Sequence, residues 1–262
     1  MKVLKHKILL ATERKADLDN LFQRLTSLLN KTHTKYLSAF NLSELVKENL
    51  VLVNGQSSNG LGDLVDKIEE EAKMESLAND YGMNFELIST IAGKNRLGSL
   101  STVFDLAVFE SSVFDEYDES FMMNILDDLR CSVLILPKNI ELDEILVVND
   151  GSMDSIRMVK TFLNTFDPEL RNLPVSVYLL DPDTNFDIES EKVFVDYLKL
   201  YCKNIGVQML CEDPIKSIID QVTIPGRKPF LMPGITEEAR EFNQQMILNK
   251  DFRETPIFIF KG

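Results

Sequence analysis

The chain has 262 residues, 44% of them hydrophobic and 27% charged, with a formal net charge of −14. That balance supports a packed core rather than a disordered chain, and no apolar run approaches the ~18 residues that span a bilayer. Residues 1–139 carry 15 basic and 21 acidic side chains and residues 140–262 carry 13 and 21, so both halves are acidic. Neither half offers the clustered Lys and Arg that hold nucleic acid or an anionic membrane.

The N-terminal stretch begins basic, but its apolar segment is short and ends in charges, without a small-residue cleavage site. A soluble, cytoplasmic protein is expected. HKILLATE (6–13) reads as a strand and DLDNLFQRLTSLLN (17–30) as a helix. The next strand is either YLSAF (36–40), favoured on spacing, or NLVLVN (49–54). SSNGLG (57–62) reads as a flexible loop, since no strand leads into it and no Lys follows. Residues 62–82 form a long helix closed by Gly82, with the acidic run 69–73 on its solvated face. Then follow strand 83–90, strand 104–110, helix 118–129 and strand 131–137.

The second half repeats this order. EILVVND (144–150) is a buried-strand pattern. In the helix 152–166 that follows, Ser152 can cap the first turn, and Ile156, Val159, Phe162, Leu163 and Phe166 form a stripe. Residues 174–181 are strand, 188–206 helix ending at Gly206, 207–212 strand, 213–223 helix, 227–234 strand, 235–249 helix and 255–261 strand. Alternating strands and helices predict parallel sheets with right-handed crossovers and helices on both faces. The segment from His6 aligns with that from Asp143, placing Ile8 against Ile145, and the closing strands align Val133 with Ile257. The expected fold is α/β: two tandem five-stranded open sandwiches, residues 1–139 and 140–262, joined by the polar segment 138–143.

Chemistry-bearing residues are sparse. Cys131, Cys202 and Cys211 make no CxxC pair, and Cys131 and Cys211 read as small buried hydrophobes inside strands. The two histidines, His6 ahead of the first strand and His33, assemble no metal site or nucleophilic triad. Phe121, Met122 and Met123 lie on a helix and read as core or interface.

EILVVNDGSMDSIRMV, together with RCSVLILPK and ETPIFIFK closing each half, resembles the universal stress protein family over nearly the whole chain, in two copies. The resemblance implies the adenine nucleotide alpha hydrolase-like fold of that family. In members that hold ATP, an acidic residue ending the first strand faces adenine, and glycines after the fourth strand cradle ribose and phosphates. Here Asp150, with Gly151 and Ser152 behind it, takes the acidic position of the second half, and Glu13 that of the first. After the fourth strand of the second half, Gly234 is the only glycine and Pro233 removes a donor. Glu237 and Glu238 fall in the following helical turn, and Glu110, Asp115, Glu116, Asp118 and Glu119 crowd the equivalent place in the first half. Carboxylates there satisfy the helix dipole themselves and repel a triphosphate. Asp150, Gly151, Ser152 and Gly234 are therefore candidates for a degenerate site, and no cofactor is expected, ATP included.

VVNDGSMDS also looks like the start of a family 2 glycosyltransferase, with Asp181 and Asp183 as its metal-binding DxD. That fold needs a strand, helix and strand close before the DGS strand, and the gap after residue 137 is too short for a crossover. Asp181 and Asp183 fit a Pro-containing turn better, and a phosphohydrolase reading fails because its aspartates follow the first strand of the domain. The resulting expectation is a non-catalytic stress or signalling module working through protein partners. A nucleotide or small-ligand sensor at Asp150 is the alternative. In the family the fifth strands pair across a two-fold axis, so 131–137 and 255–261 are expected to pair within one chain. A homodimer is also compatible.

Overall fold

A computed structural model describes residues 4–13, 17–43, 45, 61–88, 94–180, 188–210, 214–234, 244 and 246–261. Ten strands form one sheet: β1 Lys5–Thr12, β2 Thr34–Asn41, β3 Met83–Leu87, β4 Leu106–Glu110, β5 Ser132–Leu136, β6 Glu144–Asn149, β7 Val175–Leu180, β8 Ile205–Leu210, β9 Pro229–Met232 and β10 Ile257–Ile259. The helices are α1 Leu18–Leu28, α2 Leu61–Asp80, α3 Lys94–Ser101, α4 Val113–Glu116, α5 Glu119–Asp128, α6 Met153–Thr165, α7 Ile188–Lys199 and α8 Pro214–Val222. Among the described residues no helix is long and apolar enough to cross a membrane.

The strand order is β3-β2-β1-β4-β5-β10-β9-β6-β7-β8. Every pairing is parallel except that of β5 with β10, which is antiparallel. Read inwards from either edge, the order within each half is third, second, first, fourth, fifth. The two five-strand blocks are therefore one continuous sheet. At the seam Leu134 faces Phe258, while Ile135 and Val133 face Ile257 and Ile259.

Both faces are covered, which is why the central strands are apolar at every position rather than alternately. Alternate residues serve different cores. Leu10, Val108, Leu134, Val147 and Phe258 pack under α1, α2, α6 and α7, and Leu9, Phe109, Val133, Val148 and Ile257 pack under α3, α5 and α8. On the first face Phe166 stands 4.9 Å from Phe162 and 5.2 Å from both Phe230 and Phe258, ring centre to ring centre.

Several local expectations are met. The second strand is Thr34–Asn41, while residues 49–54, like most of 57–62, lie outside the described ones. Ser152 caps α6, its hydroxyl accepting the Ser155 N–H at 3.3 Å. Gly82, at φ +69°, takes the left-handed turn that ends α2 and starts β3. Met122 is core, with Phe121 and Met123 packed against it.

Other expectations are corrected. The helix expected over 188–206 stops at Lys199, because Phe194 and Leu198 complete its buried stripe and Leu200 turns out to solvent. Cys202 then closes a turn onto Leu198 O, and Gly206 sits within β8 rather than stopping a helix. His6 lies inside β1, not before it, and Cys131 lies just before β5, buried. Two short helices escaped the sequence reading, α3 and α4, because neither is long enough to show a periodic stripe. Of 235–249, residues 244 and 246–248 are helical and Asn249 caps the short turn Lys250–Phe252, the rest lying outside the described residues, as does Cys211.

Candidate functional site

β6 lies between β7 and β9. The chain leaves β6 through α6 on one face of the sheet and reaches β9 through α8 on the other. The carboxyl ends of β6 and β9 thus flank a point where the winding reverses, where open α/β sheets hold ligands. Asp150, Gly151 and Ser152 make the turn after β6, and Gly234 follows β9 one strand over, buried beside Pro233. The tertiary fold brings all four candidates to the carboxyl ends of two neighbouring interior strands.

The turn is self-satisfied. Asp150 Oδ1 accepts the Ser152 N–H at 3.0 Å and the Ser155 hydroxyl at 2.7 Å. Asn149 Oδ1 accepts the Gly151 N–H at 3.1 Å. Gly151 has φ +73°, a conformation that a side chain strains, and a Cβ there would meet Glu191 Oε1 at 3.3 Å. Glu191 is itself buried and accepts a hydrogen bond from the Asn149 side-chain amide. The Gly151, Ser152 and Ser155 N–H groups, which could otherwise serve an incoming anion at the start of α6, are therefore engaged by the chain's own oxygens.

A cleft of about 370 Å³ opens beside this turn, between the first turns of α6 and α7. Met153, Ile156, Val193 and Phe194 form its apolar wall, while Asn149, Glu189 and Glu191 supply its polar side together with Gly151 and Ser152. It suits a ligand with an apolar body and a hydrogen-bond-donating or cationic end, and it opposes an anion. Asn149, Glu189 and Glu191 were absent from the sequence-based candidates. Asn149 had a local signal, being a polar residue closing an apolar strand; the two glutamates had none.

The equivalent edge of the first half is closed. Glu13, just past β1, accepts a hydrogen bond from the Tyr117 hydroxyl, whose pKa burial and this carboxylate push upwards. Glu110 ends β4 buried and meets Arg24 Nη2 at 2.5 Å. Arg24 also donates to Pro137 O and, through Nε, to Asn20 O at 3.2 Å. Of the five carboxylates expected to crowd one helix start, Asp118 and Glu119 do stand at the start of α5, while Glu110 and Asp115 are engaged elsewhere. Glu110 is paired with Arg24, Asp115 meets Arg253 Nε at 3.2 Å, and Asp118 caps α5 through the Ser120 and Phe121 N–H groups at 2.9 and 3.3 Å. The Ser120 hydroxyl and those N–H groups hold the Asp118 carboxyl below its usual range. Glu237, Glu238, Asp181 and Asp183 lie outside the described residues.

Among the described residues no group of three or more His, Cys, Asp and Glu side chains is placed to hold a metal. His6 and His33 are paired, rings 4.4 Å apart. Burial pushes the Cys131 thiol up to about 11 and raises Cys202 as well, so neither is a thiolate near neutral pH.

No protein-family model matches the sequence, and no curated protein matches it. Solved structures do resemble the fold. A universal stress protein from Archaeoglobus fulgidus DSM 4304 superposes with a TM-score of 0.63 at 14% identity, over 97% of this chain and 96% of that one. The cytoplasmic domain of a prokaryotic cation chloride cotransporter does so at 0.54 and 11% identity, over 97% and 95%. A functionally unknown protein from Pseudomonas aeruginosa PAO1 does so at 0.54 and 9% identity, over 97% and 92%. Over nearly its whole length, then, this α/β chain has a universal stress protein-like fold.

Proposed function

We propose that the chain is a non-catalytic, cytoplasmic stress or signalling module, two degenerate universal stress protein-like domains (1–139 and 140–262) that act by engaging protein partners rather than by turning over a nucleotide. The observation that carries this reading is the turn after β6. Asp150 and Ser152 bind their own helix start, and Glu189 and Glu191 line the adjoining cleft. An acidic, self-capped edge disfavours a triphosphate. The two-domain reading is supported by the matching strand order of the two halves and by the β5–β10 seam.

Mass spectrometry of the purified protein after denaturation, together with thermal melts in ATP and Mg²⁺, tests the reading. No released nucleotide and an unchanged melting temperature are expected. A stoichiometric adenine nucleotide would overturn it.

The cleft supports a second reading, a small-ligand sensor whose ligand carries an amino group on an apolar body. Thermal melts against a panel of biogenic amines and their isosteric carboxylates test it. Stabilisation by amines, abolished in Glu191→Gln, supports it; no response to any amine removes it.

A further inference from the structure

The two edges of the sheet are built differently. On β3, Met83 is buried and Phe85 and Leu87 are half-buried, under the 20-residue helix α2, and the exposed alternate positions are Asn84 and Glu86. A charge on an edge strand blocks further pairing. On β8, under the shorter 12-residue α7, Val207 and Met209 are 48% and 42% exposed, and no residue from Ile205 to Leu210 is charged. The turn leading into β8 adds exposed Leu200 and Tyr201.

We infer that β8 is a homodimerisation edge, pairing antiparallel with β8 of a second copy about a two-fold axis at Val207. The direction of the free groups follows from the ladder. The Val175 N–H donates to Asn204 O at 2.8 Å, and β8 runs parallel to β7 from Val175↔Ile205. In a parallel ladder alternate residues face the partner, so Gly206 and Gln208 bond towards β7 while the N–H and C=O of Ile205, Val207 and Met209 point outwards.

An axis at Val207 sets those outward groups against themselves, with Val207 opposite Val207 and Ile205 opposite Met209. Apolar side chains then cover one another on the α7 face. On the other face Gly206 meets Gln208, so nothing bulky opposes anything bulky. Symmetry selects a second copy as the occupant: about Val207 each outward donor meets an acceptor of the identical strand, and no charge from Ile205 to Leu210 adds to the repulsion between two chains that each carry −14. The chain already joins its own halves in this way, through three antiparallel residue pairs of β5 and β10.

Sedimentation velocity of the full chain, from about 1 to about 200 µM, tests the proposal. A concentration-dependent species of twice the 29.9 kDa chain mass is expected. Val207→Lys places like charges directly opposite one another and is expected to raise the dimer dissociation constant about tenfold or more, with an unchanged circular dichroism spectrum. Val207→Pro, which removes only an outward donor, is the second variant if the first fails to fold. A chain that stays monomeric across the range overturns the proposal, as does a dimer that a folded variant leaves intact. Neither result depends on whether the protein binds nucleotide.

Discussion

Leu29 and Phe166, which stand 137 positions apart in the chain, bridge each other antiparallel across the middle of the molecule. Around them the Asn30 N–H donates to Thr165 O at 3.0 Å, and the Asp167 N–H returns the bond to Leu28 O at 2.7 Å. The residues exchanged are themselves 137 apart, so each half makes the same contact to the other, as in a two-fold interface. Behind the bridge, Phe166 reaches the aromatic group that includes Phe258 of the β5–β10 seam. The two halves thus meet through both the sheet and the helices α1 and α6.

Phe166→Ala is expected to cost about 3–5 kcal/mol, since a fully buried aromatic ring leaves a cavity among Phe162, Phe230 and Phe258. Urea unfolding measures it. A loss below about 1 kcal/mol would show that the junction contributes little to holding the halves together.

Arg24 neutralises Glu110 in a site where both side chains are almost wholly buried. Arg24→Ala therefore leaves an uncompensated carboxylate, at an expected cost of about 3–5 kcal/mol, whereas Arg24→Met with Glu110→Leu removes both charges and loses much less. Equal losses in the single and double variants, compared by chemical denaturation, would contradict this account.

The His6–His33 pair makes stability depend on pH. Burial, then the nearby His33 charge, lower the pKa of His6 from 6.5, Asp105 opposes them, and Lys35 adds the weakest lowering; burial and then Lys35 lower that of His33. Between 6.5 and those lower values the unfolded chain binds more protons than the folded one. Stability is therefore fully present above 6.5 and declines as pH falls through the folded-state values. Urea midpoints measured stepwise from neutral to mildly acidic pH should fall, and His6→Gln with His33→Asn should flatten the decline. An unchanged slope in that variant would assign the effect to other groups.

Gly151→Ala is expected to lower stability by about 1–2 kcal/mol, because alanine strains at φ +73° and its Cβ crowds Glu191 Oε1. Ser152→Ala removes the α6 cap and is expected to cost about 1 kcal/mol. Thermal melts of the two variants check both. A Gly151→Ala protein as stable as the parent would mean that the turn relaxes away from this geometry.

Much of the architecture can be read from the residues because its causes are local. A short, β-branched apolar run such as residues 145–148 between turn residues reads as a strand covered on both faces, Ser152 announces a helix start, and Gly82 announces a stop. The repeated order predicted the parallel α/β sheet, and the Asp150–Gly151–Ser152 turn was found from its motif. Where local signals competed, the reading slipped. Gly206 resembled a helix stop, yet α7 ends seven residues earlier once Phe194 and Leu198 are buried.

The chain's order of strands, helices and caps was thus written in short-range periodicity. The company those elements keep was not. Glu191 reaches Asn149 across 42 positions, Arg24 reaches Glu110 across 86, and Leu29 finds Phe166 only after ten strands have been laid side by side. Such contacts leave no periodic trace, because crossover connections, not neighbouring residues, set which side chains share the end of a strand. The closing of the first half's edge, the acidic lining of the second, and the bare flank of β8 were all decided there.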